Sequence, residues 1–495
     1  MKYFITTPIY YVNDAPHIGH LYTTLAGDIL VRYHKLIGDD VYLLTGTDEH
    51  GAKIAEVAEK KGIEPKEFAD QISAQFKSLW AKYDVKFDRF IRTTDADHEI
   101  TVAEFLTKLK EKDFIYKGEY KGLYCRGCES YKKQSELVDG KCPDHNRVPE
   151  ELSEPAYFFK LSQFKSQLIE LIKCNALLIQ PEIRKNEVLS FLQGQELEDV
   201  AISRQNVAWG IPLPWDNKHT IYVWVDALIN YYTAAKEKNL WPADLHLMAK
   251  DILRFHCVIW PAMLIAIGEK PPKSVFVHGY FTIDGQKMSK SLGNVVDPDK
   301  LLEQYPRDVI RVFLFKAFPF GSDGDFSFDL LKEFYNGQLA NELGNLVQRV
   351  LTMVKNYQNG VITKPKDIDP TFEIDKVSET WSLWKSSLDN LQFELGLKAI
   401  WALIKYANQY IDDNKPWGLA KSDSEKLAIV LYNLTEVIRH LSILLLPYMP
   451  DTASEISNRL GIKLQEDLLV DKQNWGVLKD GTKIELSEAL FPRRG

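Results

Sequence analysis

His17 and His20 stand where an apolar stretch, Tyr3 to Val12, gives way to a helical pattern. Asn13, Asp14 and Pro16 break the stretch, and Leu21, Leu25, Ile29 and Tyr33 then recur with helical spacing. Imidazoles at the start of a helix share that end with unpaired N–H groups and partial positive charge, a seat for phosphate. Gly19 between them carries no Cβ and lets backbone and ligand approach closely. Taken alone, a His-x-x-His pair is a weak signal, since such pairs also serve as polar surface or local packing. A second group lies far downstream: Lys287-Met288-Ser289-Lys290-Ser291, between Gly285 and Gly293. Two cations backed by hydroxyls suit a phosphate-holding loop, although a lone Lys-x-x-Lys reads equally as a solvated basic turn.

Cys125-x-x-Cys128 and Cys142-x-x-His145 form a different constellation. Three thiolates and an imidazole suit tetrahedral zinc, and four protein ligands make such a site closed and structural, one zinc per chain. Reduced cysteines without a metal are the alternative reading. Cys174 and Cys257 stand apart, and an uneven set of five in so long a chain argues for a reducing compartment, not a disulfide framework.

The elements that must position these groups read as several domains, since 495 residues exceed what one core holds. A hydrophobic share of 45% and an aromatic share of 12% are those of a globular protein. No uninterrupted apolar run reaches spanning length, and nothing before Thr6 resembles a leader, so the sequence predicts a cytoplasmic protein without a membrane segment. A net charge of −8 does not advertise a nucleic-acid binder; a polyanionic partner would need basic residues gathered on one face.

Val41–Leu44 reads as a second strand leading into the polar Thr45-Gly46-Thr47-Asp48-Glu49-His50-Gly51. Polar residues at the carboxyl end of a buried strand are where open α/β sheets bind ligands. From about Ile115 short strands and turns take over. A sheet-like core is expected to resume at Ile221–Ala227, with helix to Asn239, strands at Leu245–Met248 and Val275–Tyr280, and a hairpin turn at Asp284-Gly285. Asp297-Pro298 starts a helix, and Leu343, Leu346, Val347, Val350, Leu351 and Val354 form an apolar stripe. Further stripes run through Leu388–Ile411 and Leu427–Leu446, with Pro447 and Pro450 expected to close the bundle.

The fold class is therefore α/β: a doubly wound parallel-sheet, Rossmann-like catalytic domain with an inserted knuckle domain and a C-terminal all-α bundle. The expected boundaries are 1–114 and 221–280 for the two catalytic halves, 115–220 for the connective insertion, and 281–330 for the lysine loop and linking region. The bundle follows at 331–464 and a tail at 465–495.

Pro16-His17-Ile18-Gly19-His20 and Lys287-Met288-Ser289-Lys290-Ser291, in that order on such a core, resemble the two signatures of class I aminoacyl-tRNA synthetases. Over nearly the whole chain the resemblance narrows to the methionyl-tRNA synthetases, through Thr45–Gly51, Val223–Ala227, Lys250–His256 and the single zinc knuckle. The relatives for isoleucine, leucine and valine carry a larger insertion with a hydrolytic domain. They need it because a pocket rejects a missing methylene by only about 1–3 kcal/mol. The 115–220 stretch leaves little room for one, and a thioether makes distinctive contacts with aromatic rings.

The resemblance implies a methionine–tRNA ligase with ATP, methionine and tRNA as partners, magnesium accompanying ATP, and a single-chain working form. It places Ile9, Tyr11, Asp48, Trp224, Ala227, Tyr231, Phe255, His256 and Trp260 in the methionine pocket, with Asp48 on the ammonium. Read bare, Phe255 and Trp260 are equally core residues. His17, Gly19, His20, Asp251, Lys287, Ser289 and Lys290 fall to ATP, with His17, His20, Lys287 and Lys290 carrying the chemistry. Asn345 and Arg349, four apart on one helix face, and Trp417, after Lys415-Pro416, match the family's anticodon-binding positions; alone, Trp417 also reads as a hydrophobic plug. Two other readings share parts of this set. Another His-x-Gly-His nucleotidyltransferase would lack the bundle and the lysine loop, and an idle synthetase-like RNA binder would not need both signatures.

Overall fold

The computed structural model describes residues 2–125, 130–132, 134–143, 146–205, 207–283, 285–288, 294–366, 372–462 and 473–494. The chain divides into two units, one comprising residues 2–27 and 42–278, the other residues 28–41 and 279 onward.

The first unit is built on a six-stranded sheet in the order Arg89–Arg92, Asp40–Asp48, Lys2–Tyr11, Leu245–Ala249, Ser274–His278, Leu178–Gln180. Pairing is parallel, as in Ile5 opposite Leu245 and Val275 opposite Ile179. Phe4 to Pro8 are buried without alternation, because both faces of the sheet are covered. Gly46 is required by close approach: a Cβ there would lie 1.9 Å from the Ile91 carbonyl oxygen on the adjoining strand. The strand order reverses between Lys2–Tyr11 and Leu245–Ala249, and the carboxyl ends beside such a reversal form a ligand crevice.

Between the sheet's halves the chain makes a four-stranded antiparallel sheet, Ser130–Lys132, Ile115–Cys125, Glu150–Phe159, Val200–Ala201. Its long central pairing runs from Ile115 opposite Phe159 to Tyr124 opposite Glu150.

One sequence reading is corrected. Ile221 ends the strand Asp216–Ile221, and Val223 already begins the helix Val223–Lys238, so Val223–Ala227 is helical. Residues Val225 to Asn230 are buried on every side, and without a polar face periodicity cannot separate helix from strand. The next helix opens in stages: a 3₁₀ turn at Lys250–Ile252, a π-helical turn at Phe255–Ile259, then α-helix over Trp260–Ile267.

The second unit carries a small sheet of Gln286–Lys287, Phe281–Ile283 and Gly324–Phe326, with Gly285 at φ 76° in the hairpin turn. The helix Pro298–Gln304 starts where Asp297 Oδ1 accepts from the Asp299 N–H at 2.9 Å. A bundle follows, including Asn345–Gln358, Asp375–Asp389, Phe393–Asn414 and Ser424–Leu445. All six residues of the Leu343–Val354 stripe are buried. Pro450 does not close the bundle but sits at the first position of one more helix, Pro450–Arg459, where its missing N–H costs nothing. Ser424–Leu445 is long and apolar enough to cross a membrane, yet 89% of that window is buried in the bundle, which makes it a core helix. Residues 473–494 contain no helix or strand. They are fastened where Arg439 Nη2 donates to the Asn474 carbonyl at 2.7 Å and the Leu478 N–H donates to the buried Glu436.

Candidate active site

The strand Lys2–Tyr11 delivers its carboxyl end to a turn, and the helix Ile18–Leu36 begins at once. The rings of His17 and His20 stack at 3.8 Å, and the backbone fixes their protons. The Gly19 N–H donates to His17 Nδ1 (3.1 Å) and the His17 N–H donates to His20 Nδ1 (3.2 Å). A nitrogen that accepts from a backbone amide carries no proton, so in each neutral ring the proton sits on Nε2 and is available to an anion. Burial favours that neutral form, pulling His17 down to about 4 and His20 well below its usual range, with the His17 charge adding to the second. Tyr10 anchors the corner from beneath. Its hydroxyl donates to the His20 carbonyl (3.2 Å) and shares a hydrogen bond with Thr24 (2.7 Å), while Phe76 stacks on its ring.

The other side of the crevice is aromatic. Trp224 and Phe255, both half-buried, stack with centroids 4.3 Å apart. His256 Nδ1 lies 3.0 Å from the Ile252 carbonyl, which can only accept, so Nδ1 carries the proton and Nε2 accepts from the Tyr231 hydroxyl at 2.7 Å. Burial keeps this pair uncharged, lowering His256 to about 4 and raising Tyr231 above its usual range. Ala227 and Trp260 are buried, Trp260 behind Tyr231 with centroids 6.2 Å apart, while Ile9 and Tyr11 are half-buried at the end of their strand. Asp48, buried, ends the neighbouring strand, and Asp251 is exposed in the 3₁₀ turn after Leu245–Ala249.

No role follows from the sequence for the charged groups just beyond Asp48 or for those they bind. Glu49, wholly buried, accepts from Arg92 Nε (2.6 Å) and Nη2 (2.8 Å) and from the Thr47 and Thr94 hydroxyls. His50 Nδ1 lies 2.7 Å from Asp226 Oδ2, and His98 Nε2 lies 2.7 Å from Asp226 Oδ1. Burial alone would raise the Asp226 carboxyl and lower His50. The imidazoles hold Asp226 below its ordinary value, and Asp226 holds His50 above its own. A carboxylate inside the apolar run Val223–Ala227 was the available signal, since a charge there needs a partner.

Two of the proposed zinc ligands are described. Cys125 and Cys142 are buried, although Asp139, Gly140, Lys141 and Pro143 around the latter are exposed. Cys142 opens a tight turn in which the Asn146 N–H donates to its carbonyl at 2.8 Å. Two thiols are fewer than a zinc site needs, and no group of three or more His, Cys, Asp or Glu placed to hold a metal occurs among the described residues; Cys128 and His145 lie outside them.

In the second unit Lys287 belongs to the hairpin strand Gln286–Lys287, and Ser289 and Lys290 lie outside the described residues. Asn345 is exposed, and Arg349, one helical turn on, donates from Nη2 to Asp412 at 2.9 Å. Trp417 stands in the first turn of Pro416–Ser422, after Lys415 breaks the preceding helix at φ 45°, and is 47% exposed. A hydrophobic plug would be covered; this ring is presented.

Residues 3–150 and 145–351 match the family profile of class I tRNA synthetases (M), and residues 372–494 match the anticodon binding domain of methionyl tRNA ligase. The chain is 48% identical to the methionine–tRNA ligase of Caldanaerobacter subterraneus subsp. tengcongensis over 99% of its length and 78% of the relative's. It is 42% identical to that of Thermotoga maritima, over 100% and 80%. Its fold superposes on the crystal structure of Mycobacterium tuberculosis methionyl-tRNA synthetase bound by methionyl-adenylate with a TM-score of 0.95, at 37% identity, covering 99% and 100% of the two chains. With the two signatures, the aromatic crevice and the helical bundle in one chain, the protein belongs to the methionyl-tRNA synthetases, the class I ligases for methionine.

Proposed function

We propose that this chain activates methionine with ATP and transfers it to tRNA through the following division of labour. The methionine carboxylate attacks the α-phosphorus in line and pyrophosphate leaves; a terminal ribose hydroxyl of the tRNA then attacks the adenylate carbonyl and AMP leaves. Such chemistry needs positioning and donors aimed at phosphate oxygens more than it needs a base. The observation that carries the reading is the stacked His17–His20 pair, with both Nε2 protons left available by backbone hydrogen bonds to Nδ1. Those protons donate to the α-phosphate, and Gly19 lets the nucleotide approach. Lys287 and Lys290, with Ser289, take the β- and γ-phosphates, and Asp251 takes the nucleoside side.

Asp48 holds the methionine ammonium, because a cation in a buried site requires a paired anion. The side chain lies among Ile9, Tyr11, Trp224, Ala227, Tyr231, Phe255, His256 and Trp260. The neutral Tyr231–His256 pair offers polarity without charge, suited to a thioether. Magnesium bound with ATP supplies charge neutralisation on the phosphates. Zinc held by Cys125, Cys128, Cys142 and His145 supplies folding energy to the insertion, not catalysis. Asn345, Arg349 and Trp417 read the anticodon, by hydrogen bonds to base edges and by stacking.

A monomeric working form belongs to the same reading. Cys174 and Cys257, which form no disulfide, support a reducing, cytoplasmic setting. In this division the insertion is 115–220 and the bundle 331–464. Methionine-dependent exchange of labelled pyrophosphate into ATP tests the core of the proposal. Exchange supported equally by other amino acids, or by none, would sink it.

A further inference from the structure

Asp226 occupies the first turn of the helix that also carries Trp224, Ala227 and Tyr231, yet it is 1% exposed and its two oxygens are turned to histidines. One is His50, two residues beyond Asp48 on the same strand end. The other is His98, on the helix Ala96–Glu111, whose second nitrogen lies 3.0 Å from the Thr233 hydroxyl farther along the Asp226 helix. Three elements thus meet at one carboxylate. The Gly51 N–H donates to the Trp209 carbonyl at 3.0 Å, Trp209 Nε1 donates to the Glu49 carbonyl, and Arg92 clamps the Glu49 side chain. The 48–51 segment therefore has no slack on its own side. The bond between His50 and Asp226 joins this segment directly to the aromatic helix.

We propose that Asp226 and His50 are positioning residues: their hydrogen bond fixes Asp48 relative to the pocket helix, so that one ligand engages an ammonium subsite and a side-chain subsite together. A fully buried pair is retained only where both partners remain matched, because removing one leaves the other's polar atom uncompensated. Neither group touches the ligand; they act through Asp48. The inference rests on the assignment of Asp48 to the ammonium.

The test compares methionine with its 2-hydroxy analogue, which keeps the side chain and carboxylate and lacks the ammonium. Methionine KM in pyrophosphate exchange and the inhibition constant of the hydroxy acid are measured for the full chain. His50→Ala is expected to raise methionine KM at least tenfold, to leave the hydroxy acid's inhibition constant within twofold, and so to collapse their ratio. His50→Asn, whose amide N–H reaches the place of Nδ1–H, is expected to restore most of the ratio. Asp226→Asn, isosteric and uncharged, is expected to behave like His50→Ala, so the outcome does not hang on one variant folding. Equal loss for both ligands in His50→Ala and Asp226→Asn, or no rescue by Asn at position 50, would overturn the proposal. Asp48→Asn separates the two levels. If it leaves the ratio intact, the ammonium assignment has failed; if it collapses the ratio while His50→Ala does not, only the positioning role has failed.

Discussion

In the histidine corner both imidazoles, half-buried, are stacked and confined to one tautomer by backbone amides. On the helical bundle Trp417 leaves nearly half its surface in solvent, and Arg349 is paired with the exposed Asp412. In the proposed reading the corner presents donors to a small anion, a role that a geometry fixed before the ligand arrives would serve. The bundle face is suited to unstacked bases of a large, deformable partner, where an aromatic plane and a long guanidinium adapt on contact. Stacking and backbone hydrogen bonds fix tautomer and geometry in the first case; in the second they are left to the partner.

The sharpest break in this comparison is His20→Ala. Removing a preorganised donor to developing charge typically costs about 10²–10³ in rate. Exchange should fall by about that factor, with methionine affinity, read by equilibrium binding, unchanged within about threefold. A loss confined to methionine affinity would move His20 out of the phosphate corner.

Burial should obey the same rules elsewhere in the second unit. Asp308 is 2% exposed; Oδ2 accepts from the Thr452 N–H at 2.7 Å, while Oδ1 has no hydrogen-bond partner among the described residues. Burial pushes its carboxyl up to about 6. A folded-state value above the unfolded one means the native protein binds that proton more tightly. Stability is then undiminished below the unfolded value, declines as pH rises through the interval, and stays reduced above about 6. Asp308→Asn should therefore stabilise the protein near pH 8 by on the order of 3 kcal/mol, and by progressively less as pH is lowered below 6. Denaturant midpoints at pH 8 and pH 5 check this; an equal gain at both would contradict it.

Trp417→Ala addresses the exposed side. Base stacking is worth about 1–3 kcal/mol, so tRNA charging should drop by roughly tenfold to a hundredfold. Exchange, which involves no tRNA, should stay near wild type; parallel collapse of both would make Trp417 a fold residue. The smallest effect belongs to Asp412→Ala. An exposed pair contributes about 0–1 kcal/mol, and the melting temperature should barely move. A large drop would show that the bundle face is as preorganised as the corner.

Local spacing made much of this legible. Leu343 to Val354 repeat as a helix does, and they line the bundle's core. Asn345 and Arg349 were separable from that stripe by periodicity, and Lys415-Pro416 marked the break that presents Trp417. His17, Gly19 and His20 were readable as a strand-to-helix turn because Asn13, Asp14 and Pro16 end one pattern before another begins.

Residues buried on all sides were not legible in this way. Val223–Ala227 reads as a strand and is a helix, because the run buried on every side from Val225 to Asn230 has no polar face to reveal its period. Residue types and their spacing along the chain determined the two signatures, the knuckle cysteines and the bundle, since each depends on neighbours a few positions away. Only the tertiary structure decided which proton each of His17, His20 and His256 carries, and that Asp226 joins His50 to His98. Those facts depend on hydrogen bonds and desolvation at distances of a few ångströms between groups set by the fold. His50 and Asp226 stand 176 positions apart in the sequence, and no local pattern records such a contact.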